Sequence, residues 1–232
     1  MNDLKAYVSS SYFKDIVLGL PVGRKATADK PAEWMSKPSH RCRFGGLQNW
    51  VGNLDKQGMD TFILRTLPAA AAKADPQAEL VRRAGREAKA AAYVDKYVLS
   101  LAEQYRDTEF LLVFPPYWRY DFASMRQTDP VSFTLHQSVV RHVVRRAAEL
   151  GNVRIFGFED CSFVDDIANY KDVTHYSEEI NEFMAECMGR GEHELSPGNV
   201  EAYLARCEEL ARKFDIKALH REAQSLLDEK QK

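Results

Sequence analysis

The chain has 232 residues, of which 45% are hydrophobic and 28% charged, and its net charge is −2. That composition fits a globular protein with enough chain for one ordinary α/β domain, or at most two small ones. The near balance of 32 basic and 34 acidic side chains gives no reason to expect a polyanion partner, and nothing resembles a basic nucleic-acid patch.

Residues 3 to 18 carry Leu4, Tyr7, Val8, Phe13, Ile16 and Val17 near one face, which predicts an amphipathic helix ended by Pro21 and Gly23. A long irregular stretch follows, 24 to 58, with Pro31, Pro38, Gly45, Gly46, Gly52, Trp34 and Trp50. Loops of that length are often lids or binding loops, and its aromatic residues, Phe44 among them, fit either a lid or a satellite hydrophobic cluster. "MDTFILRTL" (59 to 67) is ambiguous between strand and helix. Asp75 and Pro76 form an N-cap and first-turn pair, and the Ala-rich sequence beyond them predicts a helix reaching about Arg106.

"EFLLVF" (109 to 114) is short and continuously apolar, which predicts a strand buried on both faces, stopped by Pro115 and Pro116. Asp129 and Pro130 then open a helix with the stripe Leu135, Val139, Val143, Ala147 and Leu150, closed by Gly151. Its cationic run "VVRHVVRR" reads as the solvated face of that helix. "NVRIFGF" (152 to 158) is a second buried strand. The span 109–158 is therefore a βαβ unit with parallel strands. Ser177 is placed to cap a further helix carrying Ile180, Phe183, Met184 and Cys187. Another helix begins at "SPGN" (196 to 199), and a charged helical tail runs from 216 to 232, fraying at its end.

The fold class is thus α/β: three layers, a short parallel sheet flanked by helices, and a helical C-terminus. The organisation is a single α/β domain over 1–215 with a tail over 216–232. Two strong strands and one doubtful one are few for such a sheet. Further strands either hide in 24 to 67 or belong to a preceding part of a larger domain.

Cys42, Cys161, Cys187 and Cys207 show no C-x-x-C spacing, so neither a zinc ribbon, a thioredoxin-type site nor a disulfide framework is indicated. No metal or organic cofactor is implied. The first 23 residues lack a positive segment followed by a long apolar run, and no stretch approaches the roughly 18 apolar residues of a spanning helix. As written, the chain reads as soluble, without signal or transmembrane segment.

The chemistry-bearing motif is "NYKDVTHYSEEIN" (169 to 181), on the loop leaving the second strand. Carboxyl ends of parallel strands are where α/β folds gather functional groups. An Asp-x-x-His turn can set a carboxylate against an imidazole, Asp172 steadying His175 while His175 takes a proton from a hydroxyl. The other reading is structural: Asp172 satisfies turn N–H groups and His175 caps the next helix. Tyr117 and Trp118, after the first strand, either line a substrate rim or pack under the long loop. Asn169 and Tyr170 read as turn formers. His136 and His142 read as structural.

"LLVFPPYW", "NVRIFGFED", "NYKDVTHYSEEINEFM" and "LSPGNVEAYLA" together resemble the C-terminal half of a bacterial group of SGNH/GDSL-type hydrolases, over about 93 to 206. The resemblance implies that Asp172 orients the ring and His175 is the general base of a Ser-His-Asp triad. It also implies a Ser nucleophile in a Gly-Asp-Ser-like turn after a first strand, and no such context occurs here. Ser9, Ser10 and Ser11 lie in a helical pattern, and "VGNLD" (51 to 55) is only a faint echo of an oxyanion-hole segment. The expectation is a family member without its first part, with little or no esterase activity alone, since loss of the nucleophile costs on the order of 10⁶ in rate. Intact family members would be membrane-anchored and periplasmic or otherwise extracytoplasmic, acting as ester hydrolase or acyltransferase on an O-acylated carbohydrate. The contrasting expectation is a non-catalytic α/β interaction module whose unpaired sheet edge is completed by another chain or by self-association.

Overall fold

A computed structural model describes residues 41–53, 59–73 and 84–230, all within one compact unit, Pro38–Lys232. The expected helix over 3 to 18, Ser9 to Ser11, Trp34, His40 and the Asp75–Pro76 helix start lie outside the described residues.

The described chain opens with helix α1 (Leu47–Asn53), then a π-helical segment, Met59–Thr66, continuing into α2 (Leu67–Lys73). The ambiguous "MDTFILRTL" is therefore helical and adds no strand. The Ala-rich region forms α3 (Ala84–Val94), a π-helical turn at Asp95–Leu99, and α4 (Ser100–Gln104). Strand β1 (Phe110–Phe114) leads through the two prolines to α5 (Arg119–Thr128), a helix the sequence patterns did not separate from its surroundings. Helix α6 (Pro130–Leu150) follows at once. Asp129 accepts from Ser132 N at 3.2 Å and Gly151 closes the helix with φ +77°, so both ends form as their residue types dictate. Strand β2 (Val153–Gly157), two short 3₁₀ turns (Ser162–Asp165 and Ile167–Asn169) and α7 (Glu178–Arg190) come next. Ser177 holds the N-cap position of α7, but its side chain makes no capping bond there. The two-residue strand β3 (Glu194–Leu195), α8 (Val200–Lys213) and α9 (Ile216–Lys230) complete the order.

The sheet order is β1-β2-β3. β1 and β2 are parallel, with Leu112 beside Ile155, as the βαβ reading requires. β3 is antiparallel to β2 through Ile155–Leu195 and Phe156–Glu194. The sheet is thus mixed, and its third member comes from after the βαβ unit.

Alternation along β2 assigns its two faces. Ile155 packs with Val140, Val144, Leu195 and Leu204 on the side of α6 and α8. Phe156 packs with Ile180, Met184 and Cys187 of α7 on the other. Helices therefore flank the sheet on both faces. β1 departs from the expectation of double burial: Leu111 is 45% and Val113 36% exposed. Their face is that of Phe156, where the apolar side chains of α7 meet β2 rather than β1, and among the described residues β1 is an edge strand.

A second core lies beside the sheet. Trp50, Leu67, Ala70, Trp118, Tyr120, Tyr170, Ile216 and Leu219 form one buried cluster joining α1, α2, α5, the loop after β2 and α9. Trp50 thus takes the packing alternative, as does Trp118, which is 1% exposed. Trp118 stacks on Tyr120 with ring centroids 5.3 Å apart and meets Trp50 edge-on at 5.3 Å. The charged tail is anchored: Ile216, Leu219 and Ala223 are buried, and Lys230 Nζ donates to Val51 O at 2.7 Å. Among the described residues, no helix is long and apolar enough to cross a membrane.

Candidate functional site

Because β1 and β2 run parallel, the loops that leave them start from the same edge of the sheet. Hydrogen bonds join those loops. Trp118 N donates to Val173 O at 3.2 Å, and the Tyr170 hydroxyl donates to Pro116 O at 2.6 Å. Trp50 Nε1 donates to Tyr170 O at 2.8 Å, tying α1 to the same point. Tyr170 is fully buried, and burial pushes its hydroxyl pKa well above the usual phenol range.

Between Tyr170 and Tyr176 the chain makes a tight reversal. The two residues pair as an isolated antiparallel bridge, and Lys171 N donates to His175 O at 3.0 Å. Asn169 closes the outer end, accepting from Ser177 N at 2.9 Å and donating Nδ2 to Phe163 O at 2.9 Å. Asn169 and Tyr170 are therefore turn formers, as their residue types suggest, and Tyr170 is also the buried anchor.

Asp172 and His175 sit inside this reversal and meet. His175 Nδ1 lies 2.7 Å from Asp172 Oδ1 and 2.8 Å from Oδ2. Asp172 Oδ1 also accepts from the backbone N of Thr174 at 3.1 Å and of His175 at 2.9 Å. The Thr174 hydroxyl lies 3.3 Å from both Asp172 Oδ1 and His175 Nδ1. The two sequence readings of Asp172 are thus realised together: it caps the turn and holds the imidazole. The ring is half exposed and the carboxylate one-third exposed. Burial alone would raise the Asp172 pKa, but the His175 hydrogen bond and the Thr174 N–H outweigh it and hold the carboxyl below its usual value. An ionised acceptor at Nδ1 places the proton of the neutral ring there, so Nε2 carries the basic lone pair.

Of the two aromatic candidates, Tyr117 is 36% exposed and Trp118 is interior. His136 and His142 both engage carboxylates, Glu159 at 2.9 Å and Asp95 at 2.9 Å.

Arg119 belongs to the same loop-anchoring network, and no motif marks it in the sequence. It is fully buried, with its Nε on Asp165 Oδ1 at 2.7 Å, Nη1 on Glu159 O and Nη2 on Cys161 O at 3.2 Å. One guanidinium thus fixes the first turn of the loop leaving β2. A buried cation needs such acceptors, but nothing in "YWRYDF" distinguishes it from a surface arginine.

No family model, curated protein or solved structure matches this chain.

Proposed function

We propose that Asp172 and His175 are the acid–base half of a Ser-dependent acyl-transfer site, in an SGNH-like ester hydrolase or acyltransferase. The observation that carries the reading is the close contact of both Asp172 carboxylate oxygens with His175 Nδ1, on a loop anchored at the carboxyl edge of parallel strands. In such a site the ring accepts the hydroxyl proton at Nε2 as the serine attacks an acyl carbonyl. The carboxylate stabilises the imidazolium, and the proton then passes to the leaving alcohol. The nucleophile is a serine outside the described residues or on a partner chain. Tyr117, on the adjoining loop, is the substrate-rim residue. The substrate class is an O-acylated carbohydrate of a bacterial envelope, by analogy with the resembled family alone.

Fluorophosphonate labelling tests this reading, because such probes react with serines activated by a neighbouring base. The chain should be recovered from its source cells in the assembly it forms there. The expected result is one labelled serine, mapped by peptide mass spectrometry, with labelling lost in His175→Ala and Asp172→Ala. Labelling indifferent to both substitutions, or absent from the assembly, overturns the proposal.

A second reading has its own support. β1 pairs on one side only among the described residues, and Leu111 and Val113 are exposed along it. In that reading the chain is an interaction module whose sheet another chain, or a second copy, completes. Loss of a native complex on Val113→Lys, with fluorophosphonate labelling absent throughout, is the result that favours it.

A further inference from the structure

A second group of chemistry-bearing side chains gathers where the turn just after β2 meets the turn after α7. Asp160, Cys161 and His193 each offer one ligand atom, and these atoms all lie within 4.8 Å of one another. Cys161 Sγ lies 3.9 Å from His193 Nδ1. Bonds of 2.0–2.3 Å in a tetrahedral zinc site put neighbouring ligand atoms about 3.3–3.7 Å apart. The three atoms therefore already stand close to the spacing that one ion requires.

Three features show that the arrangement is held in place. Arg119 grips the carbonyls of Glu159 and Cys161, fixing the backbone on both sides of Asp160. On the other side, Gly157 N donates to His193 O at 3.1 Å. Gly157 allows this close packing, since a Cβ there would sit 2.6 Å from Tyr203 Cζ. The His193 ring is set by Phe158 and Phe183, at centroid distances of 4.9 and 6.0 Å.

Two further observations point to a ligand. Asp160 Oδ1 is buried and has no hydrogen-bond partner. Buried carboxylate oxygens are ordinarily satisfied, so an orphaned one asks for a partner. His193 has φ +61°, and it alone among the described non-glycine residues is left-handed. Backbone of that kind clusters at ligand sites. Asp160 and His193 also line a cavity of about 300 Å³, with Glu194, Asn199 and Tyr203 on its wall.

We propose that Asp160, Cys161 and His193 bind one divalent transition-metal ion of the zinc class, through a carboxylate oxygen, Sγ and a ring nitrogen, with a fourth position open towards the cavity. The oxygen, sulfur and nitrogen donors suit zinc or cobalt and not calcium or magnesium. Three protein ligands and an open position are the pattern of a reactive rather than a closed structural site. The site stands independently of the acyl-transfer reading.

Cobalt(II) and zinc titrations of the purified full chain test it. Wild type should take up one equivalent of cobalt with a thiolate-to-metal charge-transfer band. That band should vanish in Cys161→Ala. Zinc affinity should fall at least about tenfold in Asp160→Asn and in His193→Asn, the latter chosen because asparagine accepts a left-handed backbone. Cys42→Ser, at an exposed cysteine, should change nothing. Circular dichroism checks that each variant folds. X-ray absorption on zinc-loaded wild type needs no variant and should show one sulfur with nitrogen and oxygen neighbours. The proposal fails if wild type gives no cobalt–thiolate band. It fails equally if the band survives Cys161→Ala, if both weaker-ligand variants bind as wild type does, or if the absorption spectrum shows no sulfur.

Discussion

The Tyr170 hydroxyl donates to the Pro116 carbonyl at 2.6 Å, across 54 residues of sequence and inside the protein. This bond ties the loop after β2 to the loop after β1, and so decides where Asp172 and His175 stand relative to the sheet. Tyr170→Phe keeps the ring and removes the donor. It should cost about 1–2 kcal/mol, because the Pro116 carbonyl loses its partner in a buried place. Urea unfolding measures the loss, and amide exchange at residues 171 to 175 should quicken more than exchange in β2.

Arg119 makes a larger claim on stability. Its guanidinium is fully buried and serves Asp165, Glu159 O and Cys161 O at once. Arg119→Ala leaves those acceptors without their donor and opens a cavity, at a cost of about 3–5 kcal/mol. Arg119→Lys should recover little of it, since one ammonium cannot span the same fork. Denaturant midpoints of the two variants check both statements.

The His136–Glu159 pair predicts a pH dependence. Glu159 is buried and is also held by the Tyr203 hydroxyl at 3.1 Å. Burial alone would lower the His136 pKa, but the hydrogen bond to Glu159, the Glu159 charge and Asp121 nearby raise it above 6.5. A raised folded-state value means the imidazolium is favoured by folding. Its contribution is fully present below about pH 6.5 and is lost as pH rises through the folded-state pKa. Unfolding free energies taken from pH 5.5 upward should therefore show a decline that His136→Gln flattens. A profile unchanged by that substitution contradicts the assignment.

How much of this was legible in the sequence depends on the range over which each feature is encoded. The βαβ unit was readable because apolar runs and caps are local: "EFLLVF", Asp129–Pro130, Gly151 and "NVRIFGF" each declare themselves within a few residues. β3 was not, because Glu194–Leu195 is too short to show a pattern and becomes a strand only by pairing with β2. The exposure of Leu111 and Val113 was hidden for a related reason, since a run of apolar residues does not say which neighbour will cover it. Asp172 and His175 could be picked out because three-residue spacing suffices for them to touch. Asp160, Cys161 and His193 could not. His193 arrives from 32 residues away on the turn after α7, and no C-x-x-C or H-x-x-H spacing marks it. Arg119 and Trp118 are adjacent in sequence and both buried, one in a polar network and one in an aromatic cluster. Only the packing separates those roles.

The proposed site requires that Asp172 hold His175 with its proton on Nδ1 and its lone pair on Nε2. Two-bond proton–nitrogen correlation spectra of the ring at neutral pH report this directly. Wild type should show the Nδ1–H tautomer in its neutral fraction. In Asp172→Asn the amide oxygen should keep the Thr174 and His175 N–H bonds, so the amide NH₂ faces the ring and drives the proton to Nε2. A neutral His175 already protonated at Nε2 in wild type, or a tautomer unmoved by Asp172→Asn, would contradict the account.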